Sequence, residues 1–164
     1  MCKYWKIQLD KNKSVKISKK LIDELALFRQ LKENDKESGG VLIGSFLVNG
    51  TGYILDKLTT PQSQDKQTQC SFFRSSQHNE LVQKIWKETN GFSTYLGLWH
   101  SHPEDIPSYS FQDKKDWIDS LNESTFEREY LFFIILGRTH LRCWVGTKGF
   151  FFKNIKLIGE YKYD

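Results

Sequence analysis

No C-x-x-C pair occurs in this 164-residue sequence, and its three cysteines, Cys2, Cys70 and Cys143, are widely spaced and odd in number. Neither a zinc ribbon nor a thioredoxin-like redox site is therefore encoded, and three free thiols in a reducing compartment are expected. Long apolar runs are also missing. The longest, residues 131–136, has the length of a strand and falls far short of a bilayer-crossing helix. The opening residues, M-C-K-Y-W-K, carry charge with no apolar stretch and no small-residue cleavage site after them. No secretory signal is read there, and a cytoplasmic protein is expected. Nor is charge of one sign concentrated. The net charge is +4, with lysines densest at residues 11–20 and at 114–115, and never interleaved with aromatics as on an RNA-binding sheet. These lysines read as a solvated face, so neither nucleic acid nor a membrane is expected as the main partner.

What the sequence does have is core material: 15% aromatic residues, including five Trp and twelve Phe. A chain of this length falls in the usual range for one domain, and a single domain over residues 1–164 is expected. Alternation marks strands at residues 3–9 and 15–18, and Ser18 caps a helix whose three-and-four apolar spacing runs through 18–33. The pair Gly39-Gly40 precedes a β-rich run at 41–48. Asn49-Gly50 then signals a type I′ hairpin returning as 53–58. The polar segment 60–69 has no periodicity and reads as a mobile loop inside the domain. A helix at 76–89, a strand at 94–102, a helix from Ser108 or Ser110 to about 121, and strands at 130–136, 141–145 and 150–157 complete the chain. This mixture predicts an α/β (α+β) sandwich with a mixed sheet.

In the strand at 94–102 side chains alternate faces, so His100 and His102 point the same way, together with Leu96 and Leu98. Two imidazoles at one strand end can share a small cation, and zinc is the usual choice for imidazole and carboxylate ligands with one position open. Asp113 is the candidate third ligand, in the pattern H-x-H-x10-D. Glu37, beside the flexible Gly39-Gly40, is suited to be the general base, and Ser110 to donate to the oxyanion. Each piece alone has a plain structural reading. H-x-H is commonly a pair of surface histidines, S-x-x-D is commonly a helix cap with a first-turn acid, and Glu37 alone is a loop acid. His78 and His140 have no partner spacing and read as structural. The whole set is different: by chance it should arise on the order of once in a few thousand such chains.

The runs E-S-G-G-V-L-I-G (37–44), G-L-W-H-S-H-P (97–103) and S-F-Q-D (110–113) resemble the JAB1/MPN/Mov34 metalloproteases, the JAMM peptidases, in order and spacing across nearly the whole chain. The resemblance implies a curved mixed β-sheet flanked by helices, akin to cytidine deaminases. It assigns one zinc ion per chain to His100, His102 and Asp113, water activation to Glu37 and oxyanion stabilisation to Ser110. It also implies hydrolysis of a bond after the C-terminal residue of a ubiquitin-like protein. Within the family the chain is most similar to the bacterial branch, and there to the deconjugating peptidases of CBASS antiphage operons, which release a conjugated cyclic-oligonucleotide synthetase. The expected partner is thus a protein with an extended C-terminal tail. A non-catalytic MPN-type scaffold, a processing protease for a linear precursor and a DNA-repair-associated relative of the same fold are the alternatives. A nucleobase deaminase needs H-x-E together with P-C-x-x-C, and no P-C-x-x-C is present.

Overall fold

The computed structural model describes residues 3–123, 129–147 and 154–164. The expectations for Cys2, for Gly149 and for residues 150–153 as the opening of the last strand lie outside them. The elements are β1 (Tyr4–Gln8), β2 (Ser14–Ser18), α1 (Lys19–Ala26), β3 (Gly39–Phe46), β4 (Gly52–Leu58), β5 (Lys66–Thr68), β6 (Ser71–Phe73), α2 (Gln77–Glu88), β7 (Thr94–Ser101), α3 (Phe111–Glu123), β8 (Tyr130–Leu136), β9 (His140–Thr147) and β10 (Asn154–Lys162). Eight strands form one mixed sheet in the order β1-β2-β4-β3-β7-β8-β9-β10, and β5 and β6 form a separate hairpin. The β2–β4 and β7–β8 pairs are parallel. The sheet curls until its edge strands approach, with the rings of Trp5 and Tyr161 5.5 Å apart.

Alternation along the strands feeds two cores. On one face Phe132, Ile134 and Leu136 of β8 join Leu141 and Cys143 of β9 and pack on Leu21, Ile22 and Leu25 of α1. On the other, Leu131, Phe133 and Ile135 join Trp144 beneath Trp117 and Leu121 of α3, with Val82 and Ile85 of α2 alongside. This explains the continuous apolar run at 131–136: a strand flanked by strands and covered on both faces has no side left for water. Trp117 stacks on Phe133 at 4.7 Å and 12°, fixing α3 to the sheet. Among the described residues, Cys70 is an exposed free thiol and Cys143 a buried one, and no helix is long and apolar enough to cross a membrane.

Four details depart from the sequence reading. The first helix stops at Ala26 rather than continuing to residue 33, leaving Leu27 and Leu31 exposed. The chain turns away there so that Gln30, itself buried, can donate to the carbonyls of Asp35 and Gln69. The β3–β4 connection is not a two-residue type I′ turn. Only Gly50 has a positive φ, of 72°, and Leu47 N–H donates to Gly52 O across a longer loop. The polar segment 60–69 is not a structureless loop, because its end forms β5. Its Asp65 is buried, accepting from the N–H groups of Gln62 and Ser75 and lying 2.8 Å from His78 Nε2. His78 Nδ1 in turn lies 2.6 Å from Thr59 Oγ1, in keeping with a structural role.

The fourth departure concerns the strand that carries the histidines. Leu42 and Ile43 of β3 face Gly97 and Tyr95, so β7 bulges at Leu96. Leu96 therefore packs into the α1 core, opposite to Leu98 and not beside it. Gly97 makes the bulge possible: its φ is 149°, and a Cβ there would overlap the Phe132 carbonyl. Gly97→Ala is expected to lower stability by roughly 3 kcal/mol or more, read as a fall in the urea midpoint. An unchanged midpoint would contradict this backbone geometry.

Candidate metal centre and catalytic cleft

Past the bulge the alternation resumes, and the end of β7 delivers both histidines to one side. Ser101 N–H donates to Ser38 O and His102 N–H to Leu136 O, which extends the ladder through His102. The imidazole centroids are 4.8 Å apart, and His100 lies against Trp117 at 6.4 Å. Asp113 arrives from the first turn of α3 in a reciprocal cap. Ser110 N–H donates to Asp113 Oδ2 at 2.6 Å, and Asp113 N–H donates to Ser110 Oγ at 3.1 Å. The plain structural reading of Ser110 and Asp113 is thus true, and the cap is what aims the carboxylate.

The three side chains converge. His100 Nε2 is 3.0 Å from His102 Nε2 and 3.1 Å from Asp113 Oδ1, and His102 Nε2 is 3.3 Å from Asp113 Oδ2. A tetrahedral ion with bonds of about 2.0–2.1 Å holds its ligand atoms about 3.3 Å apart, so this triangle, which Asp113 closes with a different oxygen toward each histidine, could hold a small divalent cation. Among the described residues it is the group of His, Cys, Asp and Glu side chains close enough to hold one. Glu104 Oε2 lies 3.5 Å from His102 Nδ1, on the side of the ring away from the triangle.

Glu37 stands back from the cluster, with Oε1 4.0 Å from His102 Nε2. Its backbone is clamped from both directions: its N–H donates to Thr68 O, and its carbonyl accepts from Gln67 Nε2 at 2.8 Å. The following Gly39-Gly40 pair passes so close to Phe72, Thr59 and Trp99 that side chains there would collide with them. One further chain of bonds fixes this strand entry. Ser38 N–H donates to Ser101 Oγ, and the Ser101 hydroxyl donates to Gln30 Oε1. Gln30, Gln67 and Ser101 are positioning residues that the sequence reading missed, because their partners lie far away in sequence. All the site residues line one cleft of about 250 Å³, which Phe72, Arg74 and Gln112 also border.

Burial sets the electrostatics. It pushes Glu37 up to about 7, with the nearby His102 opposing the rise and Asp113 adding to it. Asp113 also feels burial, but hydrogen bonds from His100, His102 and Ser110 N–H outweigh it and hold the carboxyl well below the usual range. Burial depresses His100, favouring its neutral, ligating form. In His102 burial acts in the same sense, but Asp113, Glu37 and Glu104 together outweigh it and raise the group.

The family described as prokaryotic homologs of the JAB domain matches residues 18–146, and the chain belongs to that family. A protein of Escherichia coli (strain TW11681) named CD-NTase/cGAS isopeptidase is 31% identical over 140 residues, covering 85% of each chain. A protein of the same name from Vibrio cholerae is 31% identical over 129 residues, covering 78% of each. The fold is shared with the solution structure of protein DSY2949 from Desulfitobacterium hafniense, at a TM-score of 0.57 and 18% identity over 85% of this chain and 88% of that one.

Proposed function

We propose that this chain is a zinc-dependent isopeptidase that releases a conjugated nucleotidyltransferase of the CD-NTase/cGAS kind from its targets. The observation that carries the reading is the triangle of His100, His102 and Asp113 ligand atoms, set in one cleft with Glu37 and Ser110. The name shared by the similar proteins supports the substrate class. Zinc, held by His100, His102 and Asp113, supplies a Lewis acid and a water acidified toward neutral pH.

The chain's own residues do the rest. Glu37, poised near 7 and held outside the ligand triangle, takes a proton from the attacking water and passes it to the leaving amine. Ser110 Oγ accepts from Asp113 N–H, so its own hydrogen is available to the oxyanion that develops on the carbonyl. The substrate tail enters beside β6, which has a strand neighbour on one side only and can be extended by an added strand. A purely structural zinc site would carry four protein ligands and would need no buried carboxylate standing off it.

The test compares host cells expressing the wild type with cells expressing Glu37→Gln. Lysines carrying the C-terminal remnant of the nucleotidyltransferase are counted by mass spectrometry. Accumulation with the variant alone supports deconjugation. Equal levels, with the zinc still bound to purified protein, would move the reading to a linear precursor or a scaffold.

A further inference from the structure

The catalytic cleft does not end at the metal ligands. Arg74, on the connection between β6 and α2, borders both this cleft and a second groove of about 640 Å³. α3 runs along both: Asp113, Asp116 and Trp117 line the cleft and Ser120 the groove. The two adjoin at Arg74, and the trough they mark out beside α2 is lined by Val41, Leu98, Tyr95 and Val82. A groove that adjoins the reacting centre is placed to receive what is covalently joined to the scissile group.

Arg74, where the two adjoin, is stabilised by the charges of Asp116 and Asp65 but makes no close ion pair with either. Its Nε donates to Gly40 O at 3.1 Å, and its guanidinium lies 5.9 Å from the Phe72 ring centroid. Among the described residues, no carboxylate forms an ion pair with it. The nearby Asp116 accepts instead from Gln112 Nε2 at 2.7 Å. A guanidinium fork pairs best with a carboxylate, in two parallel hydrogen bonds, and gains most where water is thin.

We infer that this trough is a substrate subsite in which Arg74 pairs with an acidic side chain of the substrate protein, close in sequence to the scissile bond. The inference deepens the isopeptidase reading and rests on it. The apolar lining of Val41 and Leu98 takes a neighbouring aliphatic side chain, so the preferred sequence pairs an acid with an apolar residue. Arg74 is a specificity residue with no role in holding the metal.

A displayed peptide library tests this without relying on turnover. Zinc-loaded Glu37→Gln protein is used as bait, alone and combined with Arg74→Ala, Arg74→Lys or Arg74→Glu. The bait with Arg74 is expected to enrich Asp or Glu at one position by about tenfold or more. Arg74→Ala removes the preference, Arg74→Glu turns it toward Lys or Arg, and Arg74→Lys, which keeps the charge, weakens it. An acid preference that survives Arg74→Ala and Arg74→Glu, or capture of no peptide at all, overturns the subsite. The selected peptides are then joined to a lysine side chain and given to the wild type. Failure to cleave them after Arg74-dependent capture would count against the isopeptidase reading alone.

Discussion

Asp113→Asn is expected to cost the protein its metal, lowering zinc affinity by about 10²-fold or more, while leaving α3 in place. The carboxylate has two jobs that this substitution separates. One oxygen accepts from Ser110 N–H to cap the helix, and both oxygens approach the histidine Nε2 atoms. An asparagine can still accept from Ser110 N–H, so the cap survives. The negative charge that balances a divalent ion is gone. Competition with a chromophoric chelator measures the affinity, and far-ultraviolet circular dichroism reports the helix. Wild-type affinity in the variant would remove Asp113 from the ligand set.

Glu37→Gln is expected to move activity and stability in opposite directions. Turnover should fall by about 10²- to 10⁴-fold, the usual size of a general-base contribution, with metal content unchanged. The metal-free protein should become more stable at alkaline pH. Glu37 is 5% exposed and titrates near 7 in the fold against an ordinary value of 4.5. Between those values the folded state holds a proton that the unfolded state has released, so stability is greatest below about 4.5 and falls as pH rises toward 7. Above 7 the burden is on the order of 3 kcal/mol, which a neutral glutamine does not carry. At pH 8 the variant without metal should melt roughly 5–10 °C higher than the wild type without metal. At pH 4 the two should melt together. Equal melting temperatures at pH 8 would show that Glu37 is not held against its charge.

The grouping of the candidate site residues was legible in the sequence because their spacing is local or nearly so. His100 and His102 need only a strand, and Ser110 and Asp113 need only the first turn of a helix. The apolar run at 131–136 announced its burial for the same reason. What could not be read depends on contacts between distant segments. The bulge at Leu96 exists because β3 and β7 pair out of step, and Gly97 could equally have marked an ordinary turn. The segment 60–69 looks structureless because it is polar, yet its Asp65 is satisfied by Gln62, Ser75 and His78 and fixes the hairpin that clamps Glu37. Exposed Leu27 and Leu31 continued a helical period that the chain abandons to place Gln30.

The most direct test uses purified protein and a nucleotidyltransferase joined through its C-terminus to a target lysine. Cleavage is followed by gel shift and the new C-terminus by mass spectrometry, for the wild type as prepared, after chelation and after zinc is restored. Release of the intact nucleotidyltransferase by the wild type, its loss on chelation and its return with zinc, with Glu37→Gln inert throughout, is the expected result. Cleavage that persists without metal, or equal cleavage by Glu37→Gln, would contradict a metal-dependent isopeptidase built on His100, His102, Asp113 and Glu37.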